Sequence, residues 1–374
     1  MSRRSPGEGS ITQRNNGLWQ GALQINGRRK TVYGKTRSEV AEKLRSLTAQ
    51  VATSGRLPDS GKLTLSSYFS EWLSQAEARL RPGTVYSYRA LVRCHVLPQL
   101  GSVKLSRLQA LHLTRLYADL RQKGLSPRRV QMVHRLLHKA LGDAARWGLL
   151  ATNVAGLVDG PTCPTEEPEL WCPEKVSGFV SALEEGSGGQ YGMLFGFLLA
   201  SGCREGEALG LRWSDVDWEK SAVRVERQVT WVDNQPVELL PKTRSGVRAV
   251  SIPSWGIGLL RKQKAQVAEW RLRAGEGWQG GERVFTTANC RVPSPSNLRR
   301  AFLGLCQRLE LPAVRLHDLR HLHLSLLAMN GVPVKVAQAR AGHSSPILTL
   351  RVYQHVLGEP DREAAAAIER LALR

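Results

Sequence analysis

Residues 315–345 read RLHDLRHLHLSLLAMNGVPVKVAQARAGHSS. Leucine and alanine recur at helical spacing on either side of Asn330-Gly331 and Pro333, so two helices are predicted, over 316–329 and 334–341. His317 and Arg320 are three residues apart and share one face of the first helix, where an imidazole and a guanidinium can reach one phosphate. His343 follows Gly342, and Ser344 and Ser345 can cap a further short helix after Pro346. Tyr353 lies ten residues beyond His343, in VYQHV. Taken singly, each fragment also has an ordinary reading: a packed histidine, a surface arginine, an aromatic at the edge of a core.

Upstream, residues 200–217 read ASGCREGEALGLRWSDVD. Ser201-Gly202 ends one helix, Arg204 opens another, and Glu207 stands one turn along. Residues 241–253, PKTRSGVRAVSIP, carry Lys242 between two predicted strands, 221–232 and 247–252, arranged around a turn near Asp233-Asn234, with Arg244 and Arg248 nearby. Helices are expected at 174–184, 191–200, 255–273 and 296–309, and a tail helix at 364–373. These elements form a mixed α+β segment over 168–374.

Residues 63–158 read as all-helical, with helices at 65–80, 85–96, 111–123 and 127–147. Arg81-Pro82-Gly83-Thr84 breaks the pattern, with Thr84 as the expected cap of the second helix. Ahead of them, 18–25 and 28–33 read as strands about an Asn26-Gly27 hairpin turn, followed by a helix over 36–51. This first segment, 1–56, is joined to the second by a Gly/Ser/Pro-rich linker at 53–62, and another linker spans 159–168. The fold class is therefore multidomain and mainly α with small antiparallel sheets.

The chain has 374 residues, 42% of them hydrophobic, enough for two or three cores. Its net charge is +21, and residues 1–62 alone hold 12 Lys+Arg against 4 Asp+Glu. Such an excess attracts polyanions. The strongest apolar run, 191–200, is half of what a membrane span needs, about 20 residues. No apolar stretch follows the basic N-terminus to make a secretory signal. Cys94, Cys163, Cys172, Cys203, Cys290 and Cys306 form no CxxC pair, which argues against zinc and redox motifs and for reduced thiols in the cytoplasm. There is no Walker sequence, Gly-rich nucleotide loop or metal-ligand cluster. A DNA-cutting enzyme of this composition would have to stabilise its transition state with Arg, Lys and His and attack with a side-chain oxygen.

Arg204, His317-x-x-Arg320, His343 and Tyr353, in this order and within the words GCREGEALGLRWSDVD, PKTRSGVRAVSIP, RLHDLRHLHLSLLAMNGVPVKVAQARAGHSS and TLRVYQHVL, resemble the tyrosine recombinase (phage integrase) family. The resemblance covers nearly the whole third segment. The first two segments look like the arm-type and helical, SAM-like core-binding domains of phage and integrative-element integrases. It implies a site-specific DNA recombinase with an integrase-type catalytic domain, needing no metal, nucleotide or other cofactor. Tyr353 would be the nucleophile, forming a 3′-phosphotyrosyl bond. Arg204 and Arg320 would clamp the non-bridging oxygens, and Lys242 would protonate the departing 5′-oxygen, with Arg244 and Arg248 as competing cations. His317 would be general base or proton shuttle, His343 a phosphate donor, and Glu207 would orient the cations. The implied partners are double-stranded DNA at core and arm sites, three further copies of the chain in a tetramer on DNA, and host or element DNA-bending or excision factors. The tail helix would dock on a neighbouring copy or on its own domain. Leu322 and Leu324 stand where the family often has small residues, and Ala341 where leucine is usual, which puts local helix packing in doubt. Two other readings use the same residues: a type IB topoisomerase-like strand transferase, and a non-catalytic DNA-binding relative.

Overall fold

The computed structural model describes residues 10–25, 28–54, 63–163, 171–241, 246–278, 281–356 and 368–369. The chain divides into two compact units, 1–165 and 166–374.

The first unit contains two separate apolar cores. Strands β1 (Ser10–Gln13), β2 (Trp19–Ile25) and β3 (Arg28–Gly34) form an antiparallel sheet in that order, covered by α1 (Arg37–Ser54). Leu23, Val40 and Leu44 are its buried centre. The strand β1 adds to the two expected ones, and the Asn26-Gly27 turn lies outside the described residues. The second core belongs to helices α2 (Leu65–Glu77), α3 (Pro82–Leu91), α4 (Leu97–Leu100), α5 (Ala110–Gln122) and α6 (Pro127–Arg146), α3 and α4 being joined by a π-helical turn, Val92–Val96. Tyr68, Phe69 and Trp72 of α2 are fully buried in it. Trp72 Nε1 donates to the buried Asp143 of α6 at 2.8 Å. The break before α3 differs from expectation. Pro82 opens the helix and Thr84 lies inside it rather than capping it, because proline's fixed φ is already helical and it has no N–H to satisfy.

In the second unit, α7 (Pro173–Glu184) packs on α8 (Gly192–Ser201). Helix α8 is apolar on all sides and accordingly buried on all sides. The short helix α9 (Glu205–Leu209) leads to β4 (Val216–Asp217), β5 (Ala222–Val225), β6 (Gln228–Val232), β7 (Gln235–Leu239) and β8 (Arg248–Ser251). The expected strand 221–232 is thus two strands in two sheets. Strand β5 pairs with β4 and β8, whereas β6 turns back on β7. Asp233 and Asn234 take φ of 50° and 59°, the backbone of a tight hairpin turn. The strand 247–252 is therefore not the partner across that turn. Pro236 and the polar run of β7 hid the true partner.

Helices α10 (Ser254–Ala274), α11 (Pro295–Arg308), α12 (Asp318–Met329), α13 (Val334–Ala341) and α14 (Pro346–Val356) complete the unit. Phe179, Phe195, Phe197, Phe285 and Phe302 are fully or almost fully buried at its centre. A smaller cluster joins Leu324, Ala328, Ala337, Ala341 and Tyr353. Leu322 joins the large core, and Leu324 on α12 and Ala341 on α13 are both buried in one smaller cluster. Among the described residues no helix is long and apolar enough to cross a membrane. Lys242 and Arg244 lie outside the described residues, and so does the tail helix apart from Ile368 and Glu369.

Candidate active site

Helix α13 ends in a left-handed glycine, Gly342 at φ 66°, and the turn there occupies the carbonyls of Gln338 and Ala339 with the N–H groups of His343 and Gly342. Three consecutive carbonyls there each accept from a different arginine. Arg248 Nε donates to Arg340 O at 2.7 Å, Arg320 Nη2 to Ala341 O at 2.6 Å, and Arg204 Nη2 to Gly342 O at 3.5 Å. The negative end of a helix dipole is a physically sensible seat for clustered cations.

Each arginine is further fixed. Arg320 is buried, and its Nη1 donates to Gly202 O at 2.6 Å. Burial, and then the charge of Arg204, push its pKa down to about 10, still charged at neutral pH. Gly202 itself has φ 65° and lies against His323, whose ring a Cβ would meet at 2.5 Å. Arg204 stands just before α9, and its Nη1 donates to Glu207 at 2.7 Å. The other Glu207 oxygen accepts from Arg248 Nη2 at 2.9 Å and from the Arg204 backbone N–H at 3.0 Å. Burial pushes the Glu207 carboxyl upward, but the hydrogen bond and charge of Arg248, with those of Arg204, outweigh it and hold the group ionised below its usual range. Four of the five N–H donors of Arg248 are engaged, by Glu207, Arg340 O, Gly246 O and the Cys203 sulfur, and its side chain is 7% exposed. Arg204 keeps 39% of its side chain open. Of the five N–H donors of Arg320, two are committed.

The histidines border this cluster. His317 immediately precedes α12, and its ring meets His321 edge-on at 5.4 Å between centroids. Crowding by protein atoms, then the charges of His321 and Arg320, push its pKa down to about 4, although the residue as a whole is exposed to solvent. His343 is pushed down to about 4 by burial and by Arg320 and Arg204. Its Nδ1 lies 2.8 Å from the hydroxyl of Thr349. Both imidazoles are therefore neutral at pH 7 in the absence of an anion.

Tyr353 is 5% exposed, and its hydroxyl donates to Val332 O at 2.9 Å. Burial holds its pKa above the ordinary tyrosine value. The structure thus brings Arg204, Glu207, His317, Arg320 and His343 together, with Tyr353 on the next helix and its oxygen engaged elsewhere. Sequence reading missed three members of this constellation. Arg340 passes for a surface cation, His323 for a core residue, and Thr349 for a helix-surface hydroxyl. Charges buried next to backbone carbonyls carry no local sequence signal. Chemically, the arrangement is an anion site with open guanidinium donors, two neutral imidazoles and a nearby phenol.

The chain matches the phage integrase family over residues 173–359 and the N-terminal SAM-like domain of phage integrases over 64–121. It is 29% identical to a tyrosine recombinase XerC-like protein of Caldanaerobacter subterraneus subsp. tengcongensis, with 92% of each chain covered. It is 25% identical to the ICEBs1 integrase of Bacillus subtilis over 84% of this chain and 85% of the other. Among solved structures, the Tn1549 transposon integrase in complex with a circular intermediate DNA superposes with a TM-score of 0.69 at 21% identity, over 82% of this chain and 99% of that one. A lambda integrase tetramer bound to a Holliday junction gives 0.58 at 16% identity, over 94% and 96%. The fold, the domain matches and the near full-length relatives agree, and the chain belongs to the phage integrase family of tyrosine recombinases, enzymes that break and rejoin DNA.

Proposed function

We propose that the protein is a site-specific recombinase acting on double-stranded DNA through a 3′-phosphotyrosyl bond at Tyr353. The observation that carries this reading is the strip of carbonyls at the end of α13, which gathers Arg204, Arg320 and Arg248 beside His317 and His343.

The Tyr353 oxygen attacks phosphorus, the bond to the 5′-oxygen breaks, and a 5′-hydroxyl leaves. Arg204 and Arg320 grip the two non-bridging oxygens, whose charge grows in the transition state. His317, neutral at pH 7, takes the phenolic proton, and the arriving phosphate raises its affinity for that proton. His343 donates to a non-bridging oxygen. Lys242 supplies the proton to the leaving 5′-oxygen, a role that suits Arg248 poorly. Against the pull of burial, Cys203 and the ion pair with Glu207 hold the Arg248 guanidinium pKa above the ordinary arginine value, and most of its donors are engaged. One phosphate ester is exchanged for another, so the reverse attack by a 5′-hydroxyl rejoins DNA without ATP. The arginines supply the charge neutralisation that Mg²⁺ supplies elsewhere. The Tyr353 hydroxyl must first leave the Val332 carbonyl before it attacks.

Residues 1–56 would read arm sites, 63–158 would grip core DNA together with 168–374, and four copies would assemble on paired sites. Solved relatives bound to a circular intermediate DNA and, as a tetramer, to a Holliday junction support this assembly. The test is a nicked duplex taken from the DNA flanking the gene, incubated with the full chain in excess EDTA and no nucleotide. Cleavage with covalent attachment of protein is expected. An absolute requirement for a divalent ion in the cleavage step contradicts the reading.

A further inference from the structure

We infer that Arg340, seated on His323, is a positioning residue for DNA cleavage, because this pair fixes the carbonyl strip that aligns the three arginines. The inference rests on the recombinase reading above.

One guanidinium ties together the three elements on which the cation cluster is built. Arg340 Nε donates to His323 Nε2 of α12 at 2.9 Å. Its Nη2 donates to Ala200 O of α8 at 3.0 Å and to Ser251 O of β8 at 2.7 Å. Helix α12 carries Arg320, α8 runs through Gly202 into Arg204, and β8 begins at Arg248. The carbonyl of Arg340 itself receives Arg248, and the next two receive Arg320 and Arg204. A displacement of this side chain therefore shifts the acceptors of all three arginines at once.

His323 is built for this task. Its Nδ1 lies 2.8 Å from the Leu199 carbonyl, which can only accept, so the proton is on Nδ1 and Nε2 offers a lone pair to Arg340. Burial, and the charge of Arg340, push its pKa down to about 3, so the ring stays neutral at working pH. The same ring is the surface on which Gly202 rests, and the Gly202 carbonyl holds Arg320. Arg340 thus sits among two carbonyls and a neutral imidazole with no carboxylate among these partners. A joint required only for packing needs no such charge. A charge placed here adds to the field on an incoming phosphate.

The experiment uses the full chain in single-turnover cleavage of a nicked core duplex carrying either the natural phosphodiester or a methylphosphonate at the scissile position. The methylphosphonate lacks one charged non-bridging oxygen and so depends less on the arginine clamp. Arg340→Met is expected to cleave the phosphodiester about 10²-fold more slowly, the scale of a small misplacement of catalytic groups, with DNA affinity changed less than about threefold. On the methylphosphonate the gap is expected to shrink to about tenfold or less. Arg340→Lys, which keeps the charge but lacks the planar fork whose Nε and Nη2 span the three acceptors, is expected to lose about tenfold and carries the test should the Met variant not fold. Wild-type cleavage by the Lys variant, or by the Met variant, overturns the inference. So does an equal gap on the two substrates, which would mark a general loss of stability. Absence of cleavage by the wild-type protein would instead contradict the recombinase reading itself.

Discussion

The imidazole of His343 is joined through Nδ1 to the hydroxyl of Thr349 at 2.8 Å, and Thr349 is fully buried on α14 four residues ahead of Tyr353. The helix that carries Tyr353, the proposed nucleophile, therefore also holds one of the imidazoles at the cation cluster, and leaves Nε2 as that ring's other nitrogen.

Thr349→Val keeps the shape and removes the hydroxyl. It should slow single-turnover cleavage roughly tenfold, the worth of about one net hydrogen bond, while Thr349→Ser stays near the wild-type rate. Equal rates for the Val variant and the wild type would show that the contact has no part in cleavage.

Arg320→Lys keeps the charge but loses the planar fork that reaches Gly202 O and Ala341 O together. Cleavage is expected to fall about 10²-fold or more, the scale of losing one transition-state donor. Near-normal cleavage by this variant would remove Arg320 from the phosphate clamp.

His317, His323 and His343 are each pushed below the ordinary histidine range of 6.5, to about 4, 3 and 4. Between those values and 6.5 the unfolded chain binds more protons than the folded one. The stability they contribute is therefore complete above pH 6.5 and is lost as pH falls towards 4. Urea melts should show a lower midpoint at pH 5 than at pH 7.5. A bound phosphate reverses the local charge at His317 and His343, so DNA binding near pH 6 should take up protons. Calorimetry in buffers of different ionisation enthalpy measures that uptake, and proton release there would contradict the assignment.

The cation cluster shows what was readable along the chain and what was not. His317-x-x-Arg320 is local to the start of α12, and Gly342-His343 to Tyr353 is local to the end of α13 and to α14, so these words are readable along the chain. Arg248 is different. Its partner Glu207 is 41 residues away, and its contact with Arg340 O depends on how a strand meets a helix end, so it read only as one cation among several near Lys242. The β6–β7 hairpin was obscured for a similar reason. The Asp233-Asn234 turn is local, but strand choice was set by packing, which sent β5 to β4 and β8 and left β6 to pair with a proline-containing strand. The packing doubt over Leu324 and Ala341 also needed three dimensions, since the two residues share one buried cluster.

The first sheet and its helix have an apolar core of their own, Leu23, Val40 and Leu44, separate from that of the helical bundle. A fragment starting at Lys62 should therefore keep core-site cleavage and lose arm-site binding, as gel shifts on each DNA would report. Loss of core cleavage on short DNA by this fragment would overturn the proposed division at 53–62.

The central claim is that Tyr353 becomes covalently bound to DNA. The most direct measurement is to trap the protein on a nicked suicide duplex, digest the adduct and locate the modified peptide by mass spectrometry, in parallel with Tyr353→Phe. The account predicts a 3′-phosphonucleotide on the peptide containing Tyr353, and no adduct from the Phe variant although it still binds the same DNA. An adduct on any other residue, or one formed by Tyr353→Phe, would contradict it.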